Sequence, residues 1–246
     1  IMSFYLMYKL RIYKLYKILF SFDIKFLSSL VFYKISPSYE HIKVLKQMGD
    51  IKTFIDIGSN KGQFSLLINN LFPKSKILAF EPLKDEFKIL KKIFLKNKNI
   101  SLYNFALGNK NKAMNIYKSN KSDSSSILKP SNIQIKFFPD TYIEKKIKVR
   151  MKKLHNFTNR LKKPIFLKID VQGFELEVLK GSNVTQFKFI YLEASYKKLY
   201  TNQPLISHIS KYLRSKNFKL VSRFNLIKDF SQSPIQADFL FVNLKK

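Results

Sequence analysis

The sequence predicts an α/β domain built on a mostly parallel sheet. Short apolar runs typical of buried strands alternate with segments whose apolar residues recur at helical spacing. Several of these runs end in an acidic or amide side chain. Because ligands of open α/β sheets bind outside the carboxyl ends of the strands, the polar ends predict one binding edge. They are Asp56, Glu81, Asn104, Asp170 and Glu193.

We expect the α/β domain to span residues 50–246. Ahead of it, residues 1–49 predict a basic, amphipathic helical extension. Basic side chains share one side of the helical wheel and apolar side chains share the other. Two interpretations stay open for residues 1–36: a helix lying on an anionic membrane surface, or a cover packed on the domain. No run of eighteen uninterrupted apolar residues predicts a spanning helix.

A net charge of +30 over 246 residues raises the question of a polyanionic partner. Lysine is spread through almost every segment and only five basic residues are arginine, whose planar fork suits base and phosphate recognition. We therefore interpret the charge as a solvated surface and expect no nucleic-acid partner, with polyanion binding as the alternative. The chain has no cysteine, which fits a reducing compartment. We expect a cytoplasmic protein, with the inner face of the membrane as the alternative location.

Residues 53–62 (T-F-I-D-I-G-S-N-K-G) predict a buried strand, a glycine turn and a helix start, the first half of a nucleotide-binding βαβ unit. Nineteen residues after Gly62, a second strand ends at Glu81, whose carboxylate can accept hydrogen bonds from both hydroxyls of a ribose. A dinucleotide site needs a glycine where Asn60 stands, and Asp56 repels a pyrophosphate. The stretch favours S-adenosylmethionine, which carries an ammonium and a sulfonium, over a dinucleotide. A turn without a ligand is the third interpretation.

The remaining chain continues the alternation. Predicted helices cover about 38–48, 84–97 and 203–216, with a further helix starting at 175; predicted strands cover about 99–104, 113–118, 165–170, 187–193, 218–223 and 237–243. Residues 119–126 predict a polar, serine-rich loop. We expect residues 127–153 to be irregular, with strand-like pieces.

Five blocks together resemble the FkbM family of S-adenosylmethionine-dependent methyltransferases. They are F-I-D-I-G-S-N-K-G-Q-F (54–64), A-F-E-P (79–82), N-F-A-L-G (104–108), S-S-S-I-L (124–128) and L-K-I-D-V-Q-G-F-E-L-E-V-L-K-G (167–181). The resemblance covers about residues 50–243. It implies the class I methyltransferase fold, a Rossmann-like seven-stranded sheet with helices on both faces and a final antiparallel strand. It also implies S-adenosylmethionine as cofactor and methylation of a hydroxyl.

The same resemblance implies roles for single residues. Those expected to cradle the methionine part of the cofactor are Asp56, Gly58, Ser59, Asn60 and Gly62. Glu81, with Pro82 behind it, would hold the ribose hydroxyls, and Asn104 to Ala106 would border the adenine. One segment departs from the family, which usually carries an acidic residue soon after a Thr-Leu pair where this chain has Lys153-Leu154-His155. The acceptor is therefore not predicted from it.

A sugar hydroxyl is a weak nucleophile, so a base within hydrogen-bond reach speeds its methylation by about two to four orders of magnitude. Asp170 is the first candidate, with a cofactor-contacting or structural role as the alternative. Lys168 lies on the same face and is expected to orient it or pair with it, and Glu193 is the second candidate. His155 and His208 are further candidates. Asp170 and Glu193 suit Mg²⁺, but no further ligand is evident, so no metal site is predicted.

Together these patterns predict an O-methyltransferase acting on a hydroxyl of a sugar, glycan or small metabolite, free or lipid-linked. The alternatives are an RNA methyltransferase, suggested by the charge, and a membrane-surface protein, suggested by residues 1–36. Amino-methylating nucleic-acid enzymes usually carry an Asn- or Asp-Pro-Pro-aromatic turn where this chain has Asp170-Val171-Gln172-Gly173.

Overall fold

The computed structural model describes residues 35–245, and the structural statements below concern that part of the chain. Its strands are β1 (Thr53–Ile57), β2 (Lys76–Phe80), β3 (Ile100–Tyr103), β4 (Ala106–Leu107), β5 (Lys112–Ser119), β6 (Ile143–Lys152), β7 (Ile165–Ile169), β8 (Phe189–Ser195), β9 (Phe218–Lys228) and β10 (Pro234–Asn243). Its α-helices are α1 (Ile42–Leu45), α2 (Gln63–Leu71), α3 (Lys84–Ile93), α4 (Asn132–Phe137), α5 (Glu175–Lys180) and α6 (Ile206–Arg214).

Seven strands form the main sheet in the order β3-β2-β1-β7-β8-β10-β9. The strands from β3 to β8 are parallel, whereas β10 runs antiparallel to both of its neighbours. The predicted α/β fold with a final antiparallel strand is therefore confirmed. The strand order reverses between β1 and β7, and open α/β sheets bind their ligands at this switch point.

Both faces of the central strands are covered, which explains their continuous apolar sequence. Every residue of β1 and β7 is buried. On one face Ile55 and Leu167 pack in the cluster that includes side chains of α5 and α6. On the other face Phe54 and Phe166 pack with side chains of α2. Burial of each such side chain stabilises the fold by about 1.5–3 kcal/mol. The packed strands therefore hold the residues at their ends in fixed positions.

A second sheet has three strands, in the order β4-β6-β5. Ile147, Val149 and Met151 of β6 pack in its apolar cluster, while Lys148 and Arg150 between them are exposed. The expectation that residues 127–153 are irregular was therefore largely wrong, because α4 and the ten-residue β6 lie there. The many charged residues of β6 obscured the alternation of apolar and polar residues that is typical of a strand.

Element ends also differ from the predictions. The helix predicted to about residue 97 ends at Ile93, and β9 continues to Lys228 rather than to about residue 223. The longer β9 follows from its partner, since Pro234 of β10 pairs with Lys228. Pairing between neighbouring strands sets the length of this edge strand, and its own apolar pattern does not reveal that.

The segment before β1 packs onto the domain. Tyr39, Val44 and Leu45 are buried against α2 and the sheet, and only a short turn and α1 replace the helix predicted at 38–48. The amphipathic helix predicted within residues 1–36 lies almost entirely outside the described residues. The domain boundary predicted at residue 49 stays a prediction. Within residues 35–245 no helix is both long and apolar enough to cross a membrane.

Gly181, at the end of α5, should be essential for the close contact between this helix end and the turn after β4. A Cβ there would lie 1.9 Å from the carbonyl oxygen of Gly108. We expect Gly181→Ala to lower the free energy of unfolding by about 1–3 kcal/mol, because backbone must move to admit the methyl group. Gly49→Ala is the control, since no atom lies within 4 Å of its added Cβ. Urea unfolding that gave both variants wild-type stability would contradict this contact.

Candidate active site

A cleft of about 1070 Å³ opens at the carboxyl ends of the central strands. Its lining joins the turn after β1, the end of β2 and the ends of β7 and β8. The predicted site residues that line it are Gly58, Ser59, Asn60, Glu81, Pro82, Ala106, Lys168, Asp170 and Glu193. Asp56, Gly62 and Asn104 are not among the lining residues.

The glycines of the turn after β1 are required by the protein's own backbone. Gly58 has a φ of 74°, and a Cβ there would lie 1.8 Å from the carbonyl oxygen of Asp170. Gly62 has a φ of 93°, and its Cβ would meet Leu90 of α3 at 2.7 Å. Gly58 thus lets the turn pass the end of β7, and Gly62 lets α2 approach α3. Between these two glycines, Ser59 and Asn60 line the cleft.

Glu81 closes this turn from the end of β2. Its Oε2 accepts a hydrogen bond from the Asn60 N–H and its Oε1 one from the Leu83 N–H, both at 2.8 Å. Burial raises the pKa of Glu81 to about 8 against the opposing effect of these two bonds. Each carboxylate oxygen has a further lone pair, and the side chain lines the cleft. The geometry therefore fits the predicted acceptor of ribose hydroxyl hydrogen bonds.

Asn104 acts on the same site through the backbone. Its Nδ2 donates to the carbonyl oxygens of Glu81 at 2.8 Å and of Pro82 at 3.2 Å. These bonds fix the end of β2 and hence the position of the Glu81 side chain. Ala106, by contrast, lines the cleft directly.

Lys168 of β7 is buried and forms ion pairs with two carboxylates, Asp56 on the neighbouring β1 and Asp170 at the end of β7. Its Nζ lies 3.3 Å from Asp170 Oδ2 and 3.6 Å from Asp56 Oδ1. Burial lowers the pKa of Lys168, but the two carboxylates outweigh burial and raise it, so the side chain keeps its charge. Asp56 is fully buried, and its second oxygen accepts a hydrogen bond from Ser65 at 2.7 Å. Asp56 thus faces Lys168 and α2, while Asp170 faces the cleft.

A single amide joins the two candidate bases. Gln172 Nε2 donates to Asp170 Oδ1 at 2.9 Å and to Glu193 Oε1 at 2.7 Å. Burial, reinforced by the charges of Asp170 and Asp238, raises the pKa of Glu193 well above its usual value. Gln172 lies within the block that carries the family resemblance, but sequence reasoning gave it no role at the site.

A second polar cluster borders the cleft behind Glu193. The Tyr191 hydroxyl donates to Asp238 Oδ2 at 2.9 Å, and the same oxygen accepts from Asn225 Nδ2 at 2.6 Å. His41 Nδ1 lies 2.9 Å from the Tyr191 hydroxyl. Burial raises the pKa of Asp238 to about 6 and lowers that of His41 to about 4. Sequence reasoning missed this cluster because its members are far apart in the chain.

The other two histidines lie away from the cleft. His155 and His208 were candidate bases, yet neither is among the residues that line it. His208 instead accepts a hydrogen bond from the Leu205 N–H at 3.3 Å, at the start of α6. Within residues 35–245 no three metal-ligating side chains are grouped so that they could hold an ion.

The cleft is acidic although the chain is strongly basic. Among the described residues its lining holds seven acidic side chains against three lysines, while the whole chain carries a net charge of +30. The acidic residues are Glu40, Glu81, Asp123, Asp140, Asp170, Glu193 and Asp238; the lysines are Lys61, Lys121 and Lys168. Such a lining attracts a cationic ligand and repels a polyphosphate.

Segments inserted after β5 cover the outer part of the cleft. They contribute the serine-rich loop, which includes Ser122 to Ser126, and the aromatic side chains of Phe137 and Phe138. Gln134 of α4 also lines the cleft and is only 5 % exposed. Its Oε1 has no hydrogen-bond partner among the described residues. A buried amide oxygen without a donor favours a ligand that supplies one, such as a hydroxyl group.

We expect Asp56→Ala to act first on stability, because it removes the one fully buried carboxylate paired with Lys168 and leaves only the part-exposed Asp170. Removal of one member of a buried ion pair typically costs about 3–5 kcal/mol. The control is Asp50→Ala, which removes an exposed carboxylate paired with Lys52 and should cost less than about 1 kcal/mol. Chemical unfolding of both variants measures the difference. Equal losses would show that the ion pair of Asp56 stabilises the fold no more than a surface pair.

Known proteins resemble this chain in sequence and in fold. The model of the methyltransferase FkbM domain matches residues 56–220. Methyltransferase 1 of Beauveria bassiana (strain ARSEF 2860) is 26 % identical over 155 residues, which cover 54 % of this chain and 59 % of that protein. The chain thus matches only about three fifths of the length of this relative.

Among solved structures, TehB from Haemophilus influenzae superposes with a TM-score of 0.50 at 11 % identity, over 89 % of this chain and 67 % of TehB. Precorrin-6y C5,15-methyltransferase from Geobacter metallireducens GS-15 gives a TM-score of 0.47 at 13 % identity, over 82 % and 86 % of the two chains. Identities this low concern the fold alone, and the likeness to TehB agrees with the predicted class I methyltransferase fold. The domain match over residues 56–220 shows more: the chain belongs to the FkbM methyltransferase family.

Proposed function

We propose that the protein transfers a methyl group from S-adenosylmethionine to a hydroxyl of an uncharged acceptor, a sugar or another small polyhydroxylated metabolite. One observation carries the proposal: Asp170 and Glu193 line the same cleft as Glu81 and the turn after β1. The cleft therefore combines a ribose-binding carboxylate with carboxylates that can take a proton. Membership of the FkbM methyltransferase family supports the reaction class.

S-adenosylmethionine is the cofactor that the family and the fold indicate. When bound, it supplies an electrophilic methyl group on a positively charged sulfur. We assign its ribose hydroxyls to Glu81, its methionine part to the turn at Ser59 and Asn60, and its adenine to the surface that includes Ala106. Asp56, Gly62 and Asn104 are assigned supporting roles behind these residues. The acidic lining favours the two cationic groups of the cofactor.

Glu193 is the residue that we assign as proton acceptor. The acceptor oxygen bonds to the methyl carbon as the carbon–sulfur bond breaks, and the hydroxyl proton passes to the carboxylate. Asp170 is not assigned this role, because its Oδ2 is already paired with the Lys168 Nζ at 3.3 Å. The raised pKa of Glu193 instead gives that carboxylate a higher proton affinity. This order reverses the one expected from the sequence.

The outer part of the cleft supports an uncharged, hydroxyl-bearing acceptor. Phe137 and Phe138 provide apolar surface, and Gln134 provides a buried oxygen that lacks a donor. Asp123 and Asp140 in the same lining disfavour the phosphates of a nucleic acid. A lipid-linked acceptor and a location at the membrane are predictions that rest on residues 1–36, and the cytoplasmic location likewise stays a prediction.

Binding of S-adenosylhomocysteine, measured by calorimetry, tests the cofactor assignment. We expect the wild type to bind, and Glu81→Ala to bind at least about tenfold more weakly, since it loses the hydrogen bonds between this carboxyl group and the ribose. Asp85→Ala, which removes an exposed carboxylate of α3, is the matched control and should keep wild-type affinity. A wild type that binds neither S-adenosylhomocysteine nor S-adenosylmethionine would overturn the proposal.

Methyl transfer to a panel of glycosides, followed with labelled S-adenosylmethionine, tests the proton acceptor. We expect Glu193→Gln to slow transfer by about two to four orders of magnitude while S-adenosylhomocysteine still binds. In the wild type the rate should rise with pH as Glu193 loses its proton, because only the ionised carboxylate can accept one. A Glu193→Gln variant with the wild-type rate and pH profile would exclude Glu193 as the base.

A further inference from the structure

We propose that Gln172 is a positioning residue that sets the spacing of Asp170 and Glu193 and the charge state of Glu193, and that Tyr200 holds it in place. The inference rests on the proposed function, because it concerns the two carboxylates of the same site. It goes further in naming the residues that make these carboxylates act differently.

The side-chain amide nitrogen of Gln172 donates both of its hydrogens. One carboxylate lies on each: Asp170 Oδ1 at 2.9 Å and Glu193 Oε1 at 2.7 Å. Two carboxylates on neighbouring strands repel each other when both are ionised. A shared donor offsets part of that repulsion and stabilises both charged forms. The spacing of the pair therefore depends on the position of one side chain.

Two hydroxyl groups hold Gln172. The Tyr200 hydroxyl donates to its Oε1 at 2.9 Å, and Ser126 Oγ donates to its backbone oxygen at 2.6 Å. Gln172 has a φ of 55°, in the left-handed region that residues with a side chain rarely adopt. A glutamine persists in such a conformation only when its surroundings fix it there. These contacts also define which way the amide points, since Tyr200 donates to its oxygen.

Tyr200 connects this arrangement to the cover of the cleft. It is 1 % exposed, and its hydroxyl lies 3.2 Å from the carbonyl oxygen of Ser124 in the serine-rich loop. Its backbone pairs with Pro130, just ahead of α4. The tyrosine that holds Gln172 is therefore fixed by the same segments that line the acceptor end of the cleft. Tyr200 thus links the two carboxylates, through Gln172, to the surface proposed to bind the acceptor.

The ionisation of Glu193 should depend on this amide. The titratable groups that act on it from the surrounding elements are Asp170 and Lys168 on the β7 side, Glu175 of α5, Asp238 of β10, its own-strand neighbour Tyr191, and Tyr200. Most of them are acidic and favour the protonated carboxyl. The side-chain amides of Gln172, 2.7 Å from Glu193 Oε1, and of Gln236 oppose them, because an N–H group stabilises the charged form. Loss of the amide should move the ionisation of Glu193 to higher pH.

Gln172→Met keeps the length of the side chain and removes both donors, so it is the main test. The probes are S-adenosylhomocysteine and sinefungin, which has an amino group in place of the methylated sulfur. Calorimetry at a series of pH values gives the ratio of the two affinities. In the wild type the preference for the cationic probe should rise with pH as the carboxylates ionise. In Gln172→Met this rise should move upward by about one pH unit or more.

Tyr200→Phe and Tyr212→Phe complete the test. Tyr200→Phe should shift the same curve in the same direction by a smaller amount, because it frees the amide without removing it. Tyr212 is half-buried on α6 and its hydroxyl donates to the Leu179 carbonyl oxygen at 3.5 Å, away from the two carboxylates, so Tyr212→Phe should follow the wild type. If Gln172→Met does not fold, the curve of Tyr200→Phe alone decides.

Two failures remain distinguishable. If the wild type binds neither probe, the proposed function fails. If all variants bind S-adenosylhomocysteine but Gln172→Met and Tyr200→Phe keep the wild-type pH dependence, the positioning role is overturned and the proposed function stands. A loss of thermal stability without a change in that curve would likewise reduce Gln172 to a structural residue.

Discussion

The charge of Lys168, buried between Asp56 and Asp170, is the constraint on which the site depends. A buried ammonium is stable only with carboxylate partners, and these come from β1 on one side and from the end of β7 on the other. The pair of contacts ties the two strands at the point where the order of the sheet reverses. In the proposed function this contact also distinguishes the two carboxylates, because Asp170 is paired with Lys168 and Glu193 is assigned as proton acceptor.

Surface charge and site charge have opposite signs in this protein. The net charge of +30 suggests a polyanionic partner, but the cleft itself is lined mainly by acidic side chains. A cationic methyl donor gains from such a lining and a phosphate backbone does not. The lysines instead occupy outward positions such as those of β6, where their long side chains remain solvated. Net charge therefore describes the surface of this chain and says little about its ligand.

The sequence predicted the central strands and the polar residues at their ends because each signal is local. A buried parallel strand reads as an apolar run, and Glu81 or Asp170 follows it directly. Long-range pairing could not be predicted in the same way. Gln172 meets Glu193 only through the order of the strands, and Tyr191 meets His41 across most of the chain. Likewise, β6 is a strand because β5 pairs with it, and its many lysines conceal the alternation.

A crystal structure of the protein with S-adenosylhomocysteine bound is the decisive test of the cofactor site. We expect the ribose hydroxyls to donate to Glu81 and the methionine part to contact Ser59 and Asn60. The sulfur should face the side on which Glu193 lies. Gln172 should still join Asp170 and Glu193 in that complex. A ligand bound outside this cleft, or a ribose turned away from Glu81, would contradict these assignments.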